Sequence, residues 1–205
     1  GPTHHGAFDI AYMLSIPGMT VTAGKDGTET IGLLRAGIEH TDGPFSLRWP
    51  RDAVPDEVPA ALTIEPVPYA TWQVLRQGGD VCILAVGTMV LPALDAAEEL
   101  AARGIQATVV NCRYLKPYDR AAFEDVVSRH DVIMTVEEGA VTNGFGAFML
   151  REIAAFRPGA PLHLATLGIP DDFVDHDASR VVAVALLEGG RHRYGYDQGN
   201  GTHQG

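Results

Sequence analysis

Between residues 71 and 188 the apolar positions switch repeatedly between two periods. Val81-Cys82-Ile83-Leu84-Ala85-Val86 is one continuous apolar run, the pattern of a strand buried on both faces. The Ala-, Leu- and Glu-rich stretch from Met89 to Arg103 predicts a helix, and Gly104 suits its C-cap. Gln106 to Asn111 predicts a second strand, Asp131 to Val136 a third and Leu162 to Leu167 a fourth. Between them, Asp119 to His130 predicts a helix with Asp119 as N-cap. Phe145 to Phe156 predicts another, stopped by Pro158-Gly159. This succession predicts an α/β fold with a mostly parallel sheet and helices on both faces.

The first 52 residues carry a weaker pattern. A mixed apolar run from Ile10 to Ile16 ends at Pro17-Gly18. Met19 to Ala23 predicts a strand, and Thr28 to His40 a helix with Ile31, Leu34 and Ile38 on one face. Phe45 to Trp49 predicts a short strand that stops at Pro50. Both strands are expected to leave unpaired edges, because their sheet partners are expected upstream. Pro55, Pro59, Pro66 and Pro68 mark an extended linker. Gly189 to Gly205 contains no aliphatic residue, so it cannot offset its ordering entropy and is expected to be disordered. The expected organisation is a segment 1–52, a linker 53–70, a domain 71–188 and a tail 189–205.

Composition narrows the function. The formal net charge is -11 and the 15 basic residues are scattered, which argues against a nucleic-acid partner. No apolar stretch approaches the ~20 residues that cross a bilayer, and no charged segment followed by an apolar one opens the chain. Cys82 and Cys112 stand apart from any CxxC or metal spacing. A cytoplasmic protein with two reduced thiols in its core is expected.

Three segments carry residue types suited to chemistry. In Gly1-Pro2-Thr3-His4-His5-Gly6, two imidazoles on a turn suit proton transfer or metal ligation. No HExxH or CxxC supports a metal, and a solvated turn is the alternative. In Arg48-Trp49-Pro50-Arg51, guanidinium groups at a strand end suit an anion, whereas spacing alone favours surface pairing with Asp52 or Asp56. The third segment runs from Val136-Glu137-Glu138-Gly139 to Asn143-Gly144-Phe145-Gly146. Met149 stands where a dinucleotide fingerprint has its third glycine, and two carboxylates precede the loop. The glycines therefore read as turn and helix-packing positions, with an anion site as the lesser option. If the strand continues, Glu137 and Glu138 face opposite sides, one toward a partner subunit and the other toward solvent. His130, His163 and His176 are single and read as structural.

Several of these segments occur in a recognisable order: GPTHHGAFDIAYM, the Asp42-Gly43-Pro44 turn, RWPR at 48–51, VNCRYLKP at 109–117, TVEEGAVTNGFG at 135–146 and LGIPDDFVDH at 167–176. That order resembles the C-terminal part of the 1-deoxy-D-xylulose-5-phosphate synthases, a thiamine-diphosphate family of the transketolase superfamily. The resemblance implies that residues 1–52 are the back half of a pyrimidine-binding domain and 71–188 a transketolase C-terminal domain. It also implies a homodimeric, magnesium-dependent enzyme that condenses pyruvate with glyceraldehyde 3-phosphate and releases CO2. By matched position, His4 is the catalytic histidine, Arg51 binds the acceptor's phosphate and Arg48 supports the same strand end as a second substrate-binding residue. His5 falls where the family varies.

The family's pyrimidine-site glutamate and stacking aromatic, and its GDG…N magnesium motif, have no counterpart among these residues. No cofactor or metal ligand is therefore assigned, and the chain alone is expected neither to bind thiamine diphosphate nor to turn over. A subunit completing a split enzyme, and a non-catalytic interaction module on the same fold, are the alternatives.

Overall fold

A computed structural model describes residues 6–40, 42–50, 59–60 and 63–171. His4, His5 and Arg51, much of the expected linker and the expected disordered tail lie outside the described residues.

Five strands form the larger sheet: β3 (Gln73–Arg76), β4 (Val81–Ala85), β5 (Ala107–Asn111), β7 (Val132–Ala140) and β8 (His163–Ile169). Their order is β3-β5-β4-β7-β8. The last four pair in parallel and β3 is antiparallel to β5. Helices α4 (Arg120–Arg129) and α5 (Phe145–Phe156) cover one face, where Phe123, Val126, Phe145 and Met149 pack against Cys82, Leu84 and Val110. Helix α3 (Val90–Ala102) covers the other, packing Val90, Ala93 and Ala97 on Ile83, Ala85 and Val109. All five residues of β4 are buried, as a continuous apolar run requires. The mostly parallel α/β sheet read from the sequence is the one observed. Both thiols are free and buried in it; burial pushes Cys82 up to about 12 and Cys112 well above the ordinary thiol range.

The smaller sheet corrects the expectation of unpaired edges for the first N-terminal strand, while the second stays at the edge of the sheet. Strand β1 (Thr20–Ala23) lies at its centre, with β2 (Phe45–Arg48) parallel on one side and β6 (Tyr114–Lys116) antiparallel on the other. Strand β6 comes from the segment just after β5, so the two sheets are joined through one short stretch of chain. The Lys116 ammonium reinforces the join by donating to the carbonyls of Leu14 (2.9 Å) and Ile16 (2.7 Å) at the end of α1 (Asp9–Ser15). Cations are favoured at such carbonyl ends.

Helix α2 (Gly27–Glu39) forms where the spacing predicts one, within a residue at each end. Asp26 caps it by accepting from the Glu29 N–H at 2.7 Å. The buried face carries Glu29, Gly32 and Leu33, while Leu34 and Ile38 are exposed. The reason is close backbone approach. A Cβ on Gly32 would sit 3.0 Å from the Glu65 carbonyl and from Val67, and the Gly32 carbonyl accepts from the Val67 N–H at 3.1 Å. Gly32 therefore faces the body together with Leu33, and Leu34 and Ile38 face out.

Candidate functional site

The carboxyl ends of β1 and β2 meet those of β4 and β7. A Cβ on Gly87, which follows β4 with φ +56, would lie 3.3 Å from the Ala23 Cβ at the end of β1. Connections leave β4 toward β5 and β7 toward β8, so the crevice outside these two carboxyl ends is the topological switch point of the larger sheet. Ligands of open α/β sheets gather at that place. Here the N-terminal segment is packed against it.

Arg48, the last residue of β2, reaches into this junction. Its Nε donates to both oxygens of Asp9 (3.0 and 2.9 Å), at the start of α1. Its Nη2 donates to the Gly6 carbonyl at 3.0 Å and to the Glu138 carbonyl. Nη1 lies 3.9 Å from the Glu138 carboxylate, which accepts from the Thr88 hydroxyl at 2.7 Å. Thr88 belongs to the 3-10 turn Gly87–Met89 after β4. The Arg48 side chain is 14% exposed, so these are partly desolvated, charge-assisted contacts. Two of its three nitrogens are spent on protein acceptors. Arg48 is therefore a tie between elements at the end of β2.

The residue of β7 just before Glu138 behaves differently from expectation. Glu137 does not face a partner subunit or solvent. It is 1% exposed, and its carboxylate accepts from the backbone N–H groups of Phe145 (2.9 Å) and Gly146 (2.8 Å). It thus occupies the N-terminus of α5 with a carboxyl group of the chain's own. Side chains at the loop glycines would collide with it: a Cβ on Gly144 would sit 2.6 Å from a Glu137 oxygen and 2.2 Å from the Ala140 carbonyl. The glycines are packing positions, as read. The anion-binding option for this loop is overturned, because the site that would hold an anion is filled. Burial raises the Glu137 carboxyl above its ordinary value, against the two N–H donors and Arg48, which lower it.

A third polar cluster joins the two sheets. The Glu29 carboxylate, buried in the first turn of α2, accepts from the Asn111 amide (2.8 and 3.0 Å) and lies 3.4 Å from the Arg113 guanidinium. Arg113 donates onward to the Thr71 carbonyl and hydroxyl. An apolar groove between α3 and β7 is lined by Ile83, Met89, Ala93, Met134 and Leu167. It opens on the face of β7 opposite Glu137.

This arrangement of α/β elements belongs to a known class. The pattern of the family described as "Transketolase, C-terminal domain" matches residues 70–188, and that of "Transketolase, pyrimidine binding domain" matches residues 1–57. The chain belongs to the transketolase family. Within it, the chain is similar to curated 1-deoxy-D-xylulose-5-phosphate synthases. It is 43% identical over 175 residues to synthase 1 of Geobacter sulfurreducens, covering 85% of this chain and 27% of that protein. With the Gloeobacter violaceus synthase it is 43% identical over 187 residues, 91% of this chain and 29% of the relative. The chain thus spans less than a third of the length of these relatives. Among solved structures, "Split gene transketolase, inactive beta4 tetramer" superposes with a TM-score of 0.75 at 31% identity, over 92% of this chain and 62% of that one. A transketolase variant from Pichia stipitis, at 24% identity and a TM-score of 0.65 over 92% of this chain and 26% of that one, shows the shared fold.

Asp9, Thr88 and Glu138 are members of the junction that sequence reasoning did not single out as partners of Arg48. No spacing could have found them, because they meet Arg48 or each other only across the tertiary fold.

Proposed function

We propose that this chain forms the acceptor side of an active site that converts pyruvate and glyceraldehyde 3-phosphate to 1-deoxy-D-xylulose 5-phosphate and CO2. The observation that carries this is the 43% identity with curated synthases over 85% of the chain. The junction is consistent with it. Gly6, two residues beyond His4, is hydrogen-bonded to Arg48, three residues before Arg51, so the two matched segments are neighbours in space. In this reading His4 holds or moves a proton at the acceptor's carbonyl oxygen, and Arg51 grips its phosphate through a planar fork. The domains 1–52 and 71–188, joined by 53–70, a cytoplasmic location and a homodimeric assembly go with the same reading. No described helix is long and apolar enough to cross a membrane.

Thiamine diphosphate supplies the electron sink of such a reaction, with Mg2+ on its diphosphate. The described residues do not fit either group. None of their His, Cys, Asp and Glu side chains cluster in threes to hold a metal, and the α5 N-terminus already holds Glu137. No step is assigned through the cofactor here.

The test compares two acceptors. Arg51→Ala is expected to raise KM for glyceraldehyde 3-phosphate about tenfold and to leave unphosphorylated glyceraldehyde nearly unchanged. An equal rise for both acceptors, or an unmodified enzyme that does not form the product, would count against the reading.

A second reading is favoured by the split-gene transketolase, an inactive beta4 tetramer that superposes over most of this chain. The chain would then work as one subunit beside a separately encoded one that holds the cofactor. Under either reading, calorimetric titration of these 205 residues with thiamine diphosphate and Mg2+ is expected to give no heat of binding. Tight binding would overturn that expectation.

A further inference from the structure

The open side of the smaller sheet carries residues that the acceptor chemistry leaves unused. Among the described residues, β2 is an edge strand, paired only with β1. The Thr20 N–H donates to the Pro44 carbonyl at 2.9 Å, and the Thr22 hydroxyl donates to the Ser46 carbonyl at 2.9 Å. The carbonyls of Pro44 and Ser46 therefore face β1. By the alternation of a strand, the N–H and C=O groups of Phe45 and Leu47 face outward. An edge of this kind is a template for another strand. Beside it runs an apolar groove of about 220 Å3, lined by Leu34, Gly37 and Ile38 of α2 and by Phe45 and Leu47. Ile38 is 75% exposed and Leu34 49%. A Cβ on Gly37 would lie 2.8 Å from the Phe45 ring. Ile38 thus stands near Phe45, and Leu34, one helical turn earlier, stands toward Leu47.

We propose that this edge and groove receive a second copy of the same chain, with β2 pairing antiparallel to β2 across a two-fold axis at Ser46. Such pairing is independent of the acceptor reading. Two features favour a second copy over an unlike partner. The first is that the edge is self-complementary. With Ser46 opposite Ser46, each Phe45 lies opposite a Leu47, and each such pair exchanges both of its outward N–H···O bonds. The same register sets Ile38 of one copy against Leu34 of the other. It also sets the exposed Trp49 opposite Gly43, which has no side chain to obstruct it. The second feature is charge. The chain carries a formal net charge of -11, so two copies repel over most approaches. The residues lining the groove are all uncharged. Asp42, in the turn before β2, falls opposite Pro50 rather than opposite another carboxylate.

Sedimentation of these 205 residues over about 1–100 µM, the range of weak and transient pairs, is expected to show a monomer–dimer equilibrium. Ile38→Asp puts a carboxylate into the apolar contact, and Leu34→Lys puts an ammonium there. Both positions are exposed in the single chain, so circular dichroism should be unchanged. Each variant alone is expected to weaken the dimer more than about tenfold. The two variants mixed should recover a heterodimer, because the introduced charges then face each other at one contact while the other contact stays apolar. Hydrogen exchange supplies an independent readout. The Phe45 and Leu47 amides should exchange more slowly as concentration rises, and the Ser46 amide, which faces β1, should change little. A chain that stays monomeric over this range would overturn the proposal and leave the edge to a strand of a different polypeptide. A dimer that both variants leave intact would overturn it, since another surface must then hold the copies. No recovery in the mixture would overturn the two-fold register. Slow exchange of Phe45 and Leu47 already in the monomer would mean that the edge is covered from within the chain, and would overturn the pairing.

Discussion

A Trp72→Ala variant is expected to lose about 3–5 kcal/mol of unfolding free energy, the range for truncating a large buried aromatic. Trp72 stands just before β3 and is 6% exposed. Its ring meets Tyr118, Phe123 and Phe145 at centroid distances of 6.1, 6.4 and 6.3 Å, the last two edge to face. It therefore fills the space between the segment before α4, α4 itself and α5. Its indole Nε1–H donates to the Tyr114 carbonyl at 2.7 Å, in β6 of the smaller sheet. Truncation opens a cavity under two helices and leaves a buried carbonyl without that donor. Trp72→Phe keeps part of the ring and loses the donor, so it should lie between the two. Chemical denaturation followed by circular dichroism checks the order wild type, Phe, Ala. A loss under 1 kcal/mol for Trp72→Ala would mean that the cluster does not pack as described.

How far the sequence carries the fold depends on the length of each element. Strand β4 is legible because six consecutive apolar residues are too short for a helix and bounded by turns. Helix α5 begins and ends on the predicted Phe145 and Phe156, since Gly144 and Pro158 punctuate both ends. Strands β3 and β6 have four and three residues. Neither is read from the sequence, and each pairs with a neighbour, β3 with β5 and β6 with β1. The spacing along α2 gives the helix but not which face is buried, since contact with the 65–67 backbone buries the face that carries Gly32.

The site divides in the same way. Motifs single out His4, Arg48 and Arg51 as candidates, because the types and order of residues survive in one dimension. What Arg48 touches is not legible, since Asp9 and Glu138 lie 39 and 90 residues from it. The alternation along β7 placed Glu137 and Glu138 on opposite faces correctly. Their destinations required the loop to fold back: one carboxylate meets the helix it precedes, the other meets Thr88 and Arg48.

Glu137 carries the second large effect. Glu137→Ala is expected to cost about 2–3 kcal/mol, because it leaves the buried N–H groups of Phe145 and Gly146 without an acceptor. Glu137→Gln keeps one acceptor oxygen and presents an amide N–H to the other donor, so it should cost less. Its main use is to remove the titration. Burial raises the folded-state pKa of Glu137 above the ordinary value of 4.5, so the folded protein holds this proton more tightly than the unfolded chain does. The stabilisation from that protonation is fully present below pH 4.5. It is lost as pH rises through the folded value, because ionising a carboxyl in this dry position costs the folded state more than the unfolded one. The wild-type advantage over Glu137→Gln should therefore be largest in acid and shrink as pH rises. Denaturation midpoints of both proteins, measured from pH 4 to pH 8, check the sign. An advantage that grows with pH would mean that the two N–H donors outweigh burial, and that Glu137 is held ionised as the permanent anion of the α5 terminus.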